Sequence, residues 1–187
     1  SLGSFDASGS LEVLYDFGGS VAGFQFDVTG LDLSGASGGA ASDAGFTVST
    51  APGSETVLGF SFTGSEIAAG SGVLTVLSFS GVTDSSTELS MGWSGAITDA
   101  SGNVYDATAS GSIDHGDPDC SGTYYGDAVV DECGECGGSG IADGACDCDG
   151  NVLDECGVCG GDGVDYDADG ICDDVDTCIG FFDCNGT

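Results

Sequence analysis

In the stretch Val21-Ala22-Gly23-Phe24-Gln25-Phe26-Asp27-Val28, large apolar residues come to fall on every second position, with polar ones between them. A period of two marks a strand with one face buried and the other in water. The pattern extends outward from there. Upstream, Leu11, Val13 and Tyr15 alternate with Glu12, Leu14 and Asp16. Downstream come Phe46 and Val48, then Val57, Phe60 and Phe62, then Val73, Leu74, Val76, Leu77 and Phe79. Leu89, Met91 and Trp93 follow, then Ile97, then Val104 and Tyr105. Clusters of Gly, Ser, Asp and Thr bound these runs, and the one helical scrap, near Ser65 to Ala69, is too short to matter. Seven or eight short strands at near-even spacing predict a mainly β fold, an antiparallel Ig-like β-sandwich over residues 1–112.

Val21 to Val28, Leu58-Gly59-Phe60-Ser61-Phe62 and Gly70-Ser71-Gly72-Val73-Leu74-Thr75-Val76-Leu77-Ser78-Phe79 together resemble the cohesin-like domains of secreted bacterial proteins. The resemblance implies a jelly-roll-type sandwich that serves binding or assembly without chemistry of its own.

The chain has no Lys or Arg, 32 Asp plus Glu and one His, a formal net charge of -32. Its carboxylates are left with water, backbone N–H groups and metal ions as partners. Nucleic acid and anionic membrane surfaces are excluded as partners, because both are bound through Lys and Arg. No apolar run is long enough to span a bilayer. The beginning, Ser1-Leu2-Gly3, reads as a mature product whose signal peptide has been removed.

Residues 113–118 read as a linker, and beyond them the chain changes character. All ten cysteines lie there: Cys120, Cys133, Cys136, Cys146, Cys148, Cys156, Cys159, Cys172, Cys178 and Cys184. That density predicts an oxidising, extracellular compartment and a disulfide framework of undetermined connectivity. Residues 119–187 are too poor in large apolar side chains to form an ordinary core, so covalent links and metals must compensate. Asp131-Glu132-Cys133-Gly134-Glu135-Cys136-Gly137-Gly138 recurs as Asp154-Glu155-Cys156-Gly157-Val158-Cys159-Gly160-Gly161. A second signature, Asp-Cys-x-Gly-Thr/Asn, stands at Asp119, Asp147 and Asp183. Units are expected near 119–146 and 147–182, with another opening at 183, as in a longer repeat array. The Cys133/Cys136 and Cys156/Cys159 knuckles also resemble the zinc-binding repeats of bacterial-type co-chaperones. Four thiolates would add negative charge to a domain without cations, so disulfides are preferred to zinc.

The strongest single motif is Asp165-Tyr166-Asp167-Ala168-Asp169-Gly170-Ile171-Cys172-Asp173-Asp174-Val175-Asp176. Side chains of Asp165, Asp167, Asp169, Asp173 and Asp176, with the Ile171 carbonyl, supply the oxygens of a calcium cage, and Gly170 permits the sharp turn. No amphipathic helices flank the loop, as an EF-hand pair would require. With Cys178 two residues beyond, it resembles a thrombospondin type 3 repeat, which implies calcium and disulfides ordering a chain with little core. Asp143, Asp147, Asp149 and Asn151 are weaker candidates for a second ion.

Nothing in the chain reads as catalytic. His115 sits in the expected linker, and no nucleophile elbow, metalloprotease helix, P-loop or dinucleotide fingerprint occurs. Trp93, Tyr124 and Tyr125 could stack on sugars, but Trp93 shares its apparent strand face with Leu89 and Met91 and is expected in the core. Asn185-Gly186-Thr187 fits the N-glycosylation pattern. The expectation is a non-catalytic extracellular structural or adhesive protein, self-associating into a surface filament. The rival is a cohesin-like or carbohydrate-binding module of a larger secreted enzyme or scaffold, with glycans or a partner protein as ligand.

Overall fold

Phe24, Phe26 and Val28 point inward from one strand while Gln25 and Asp27 point out, as their alternation requires. A computed structural model describes residues 1–51, 53–166 and 171–175. The chain divides into two units, Ser1–Gly126 and Asp127–Thr187.

Among its described residues the first unit holds ten strands: β1 (Leu2–Asp6), β2 (Ser10–Phe17), β3 (Gly23–Thr29), β4 (Leu31–Ser37), β5 (Thr47–Thr50), β6 (Thr56–Phe60), β7 (Gly70–Val82), β8 (Ser86–Ser90), β9 (Ala96–Thr98) and β10 (Ser110–Asp114). One helix, α1 (Gly39–Asp43), follows β4. All pairings are antiparallel. One sheet has the order β1-β2-β7-β4, and the other β10-β8-β3-β6-β5 with β9 also on β3. Leu11, Val13, Leu74, Leu77 and Phe79 from the first sheet meet Phe24, Phe26, Val28, Val57 and Leu89 from the second in one core. Gly59 faces inward on β6, and the Phe24 ring fills the space a side chain there would need.

Three sequence expectations need correction. Residues 65–69 are not helical: Ile67 is buried and exchanges backbone hydrogen bonds with Val21 at 2.9 and 2.8 Å. The helix forms instead where Ala41 turns its methyl into the core. Residues 113–118 do not begin as a linker, because Ile113 pairs with Thr87 and Asp114 with Ser86 in β10, and the unit extends to Gly126. Trp93 is not in the core. The register on β3 jumps from Asp27↔Ser90 to Gln25↔Ala96, so residues 91–95 loop out of what would be one continuous strand, and Trp93 is 101 % exposed.

The second unit has almost no regular structure among its described residues. Two isolated bridges, Val130↔Cys136 and Leu153↔Cys159, lie one repeat apart and show that the sequence repeat is a structural one.

Candidate functional site

Each repeat is built on one aspartate. Asp131 Oδ1 accepts the N–H groups of Cys133 and Glu135, both at 2.9 Å, and its Oδ2 accepts that of Gly140 at 2.8 Å. Asp154 does the same with Cys156 at 3.0 Å, Val158 at 2.7 Å and Gly163 at 2.9 Å. Within each turn the third residue after the aspartate is a glycine at positive φ, 83° at Gly134 and 76° at Gly157, a backbone shape that side chains disfavour. Its N–H returns to the aspartate's own carbonyl at 3.0 Å in both copies. The seventh residue is again a glycine: a Cβ at Gly138 or Gly161 would run into Asp131 or Asp154 Oδ2.

The two sequence signatures, Asp-Glu-Cys-Gly and Asp-Cys-x-Gly, are the same turn. Asp147 Oδ1 accepts Asp149 N–H at 3.1 Å and Asn151 N–H at 3.0 Å, and its Oδ2 the Asn151 amide at 2.6 Å. Asp119 accepts from Ser121 and Thr123, and Asp99, far outside the repeats, from Ser101 and Asn103. The signal that would have united them is Asp-x-x-Gly, with the backbone as the carboxylate's partner. These bonds favour the charged form and hold the Asp99, Asp131, Asp147 and Asp154 carboxyls below the usual aspartate value. At Asp131 the Glu135 N–H contributes most, at Asp154 that of Val158, and at Asp147 the Asn151 side chain.

Disulfides tie the turns together. Cys133–Cys148, Cys146–Cys159 and Cys156–Cys172 span 15, 13 and 16 residues with Cα atoms 5.4, 5.7 and 5.5 Å apart. Each closed loop contains the first cysteine of the next, so the three loops interlock along the chain. Cys120 and Cys136 are disulfide-bonded as well, while Cys178 and Cys184 lie outside the described residues. Cys146, Asp147 and Cys159 bring potential ligand atoms within 4.8 Å of one another, but the two sulfurs are joined to each other and present no thiolate. Both knuckles are consumed in the same way, their cysteines pairing outside the knuckle.

No family model, curated protein or solved structure matches this chain. Its chemistry therefore rests on its own residues.

In the expected calcium loop, Asp165, Ile171 and Asp173 are described, whereas Asp167, Asp169 and Asp176 lie outside the described residues. Two bonds link residues 164–166 to Asp173. Asp173 Oδ1 accepts the Tyr166 N–H at 3.0 Å, and the Asp173 N–H bonds Val164 O at 2.9 Å. These two bonds bring the backbone on either side of Asp165 against Asp173. Asn185 lies outside the described residues.

His115 is 7 % exposed and fully engaged. Its Nε2 lies 2.8 Å from Thr87 Oγ1 and its Nδ1 2.7 Å from Tyr125 Oη, with the Phe5 ring 4.9 Å away. Burial lowers the imidazole's pKa, against a smaller opposing pull from Asp114. This histidine anchors residues 115–126 against the sheets. A cavity of about 490 Å³ opens near the far end of β2, lined by Tyr15, Phe17, Phe26, Leu89, Tyr105 and Ala107 among others.

Proposed function

We propose that this chain is a non-catalytic, extracellular structural and adhesive protein, a protomer of a calcium- and disulfide-stabilised surface filament or appendage. The observation that carries the reading is the interlocked set of disulfide loops over repeated aspartate turns. A segment built in this way resists stretching and proteolysis without needing a core, which suits a spacer. Eight described cysteines, all disulfide-bonded, fit an oxidising compartment, and among the described residues no helix is long and apolar enough to cross a membrane.

In this reading the two-sheet unit is a cohesin-like, jelly-roll sandwich that provides the contact surface. Assembly proceeds by strand addition between copies. The support is local: β4 ends one sheet and β5 the other, each with a single strand neighbour. An extended segment from a neighbour would pair with such an edge. Contacts that do not close on themselves generate a fibre.

Calcium is assigned to the loop from Asp165 to Asp176. Asp165, Asp167, Asp169, Asp173 and Asp176 with the Ile171 carbonyl would hold it, and the ion would offset part of the charge that otherwise repels neighbouring copies. Zinc is the less favoured ion in this reading, because the described knuckle cysteines are held in disulfides. The test is sedimentation of the purified chain at high concentration with millimolar calcium. Concentration-dependent polymers are expected, and monomers throughout would count against the filament.

A further inference from the structure

The loop that carries Trp93 is held on a particular side of the molecule. Gln25 and Asp27 point outward from β3, and the loop lies over both. The Gln25 amide donates to Ser94 Oγ at 2.6 Å and Ser94 O at 3.2 Å, while Asp27 Oδ2 packs against Gly92. Trp93 therefore stands over the outer face of the six-stranded sheet. Leu58, directly across from Gln25 on β6, is 40 % exposed on that face, and Phe62 just beyond β6 is 83 % exposed. The Phe62 ring meets Phe60, which shares the outward side of β6, edge-on at 4.8 Å between centroids.

Between these apolar groups lie uncharged hydrogen-bonding side chains. One row across the strands reads Ser49, Leu58, Gln25, Ala96, and the next reads Thr47, Phe60, Gly23, Thr98. Three strand spacings make the platform roughly 14 Å wide, enough for more than one sugar ring. Asp27 is the carboxylate within these outward rows of β3, and it accepts the Thr56 hydroxyl at 2.8 Å. Fully exposed aromatic rings cost solubility and mark contact surfaces.

Charge selects the occupant. A chain of net charge -32 without Lys or Arg offers an anionic ligand no side-chain cation, and the two rows named here carry no carboxylate for a cationic one. What remains is a neutral molecule with flat C–H faces for the rings and hydroxyls for the Ser and Thr side chains of these rows. We propose that this face binds a neutral polysaccharide through Trp93, Leu58 and Phe62. The site supplies the adhesive function whether or not copies polymerise.

Trp93 is the sole tryptophan, so its fluorescence reports this face alone. The full chain is titrated with neutral hexaoses (cello-, laminari-, xylo-, manno- and chito-oligosaccharides) and with polygalacturonate as an anionic control. A saturable shift in Trp93 emission with at least one neutral sugar is expected. Calorimetry with W93A should show binding weakened at least about tenfold, and F62A should weaken the fluorescence titration, because ring anchors dominate such contacts. Both residues are exposed, so circular dichroism of the variants should match the parent. Unchanged emission with every neutral sugar, or a response to polygalacturonate alone, would overturn the proposal. So would an emission shift that grows with protein concentration in the absence of sugar, which would assign the face to a second copy.

Discussion

Asp131 reaches nine residues along the chain to accept the Gly140 N–H at 2.8 Å, and Asp154 reaches Gly163 at 2.9 Å in the same way. A carboxylate in a protein without Lys or Arg thus takes its hydrogen bonds from the backbone. The charge that makes the composition unusual is used, at these positions, to fold the repeats.

These bonds lower the carboxyls' pKa relative to the usual 3.8. The stability they contribute is fully present above that value and is lost as pH falls through the lower folded value. Amide exchange at Gly140 and Gly163 should stay slow at neutral and mildly acidic pH and accelerate only below about pH 3.8. D131N should accelerate exchange at Gly140 already at neutral pH, because the amide turns an N–H toward a donor. Exchange equally slow in the variant would show that the carboxylate does not hold the turn.

Replacing Gly161 by alanine should disrupt the second repeat more than the same change at Gly150. At Gly150 the new methyl meets open space and costs only the strain of positive φ, roughly 1 kcal/mol. At Gly161 it collides with the Asp154 carboxylate that organises the turn. Peptic mapping of disulfides after oxidative refolding should find Cys156–Cys172 depleted in G161A and retained in G150A.

In the sandwich, G59A should destabilise by about 1–3 kcal/mol, because the added methyl lands on the Phe24 ring within a packed core. Thermal unfolding of the variant measures it, and an unchanged midpoint would mean that the Phe24 ring can move aside.

His115 is the sole imidazole of the chain, and its environment moves its proton affinity. Its folded pKa is lowered by burial, so the unfolded chain binds the proton first as pH falls, and stability should decline as pH drops below about 6.5. Asp114 opposes this, and the Tyr124 and Tyr125 rings pack edge-on against the imidazole. H115Q should be less stable at neutral pH but flatter in its pH dependence between 5 and 7. An equally steep decline in H115Q would place the effect elsewhere.

The alternation from Val21 to Val28 was sufficient to place β3 and the core residues Phe24, Phe26 and Val28, because burial on one face leaves a direct imprint on residue type. The two-fold repeat at Asp131 and Asp154 was equally plain, since each bond in one copy recurs in the other. Trp93 misled because the period of two assumes an unbroken strand, and the loop at 91–95 interrupts it without any Pro or charge to mark the break. His115 looked like linker because its burial comes from Thr87 and Tyr125, neither adjacent in sequence. Disulfide pairing was illegible for the same reason: Cys133 joins Cys148 rather than its near neighbour Cys136, a choice set by where the turns point.

Negative-stain microscopy of native, non-reduced material before and after chelation, with metal analysis of the same sample, probes the proposed calcium-dependent, disulfide-stapled polymer. Filaments that contain calcium and loosen when it is removed are the predicted result. Single particles without calcium, unchanged by the chelator, would contradict it.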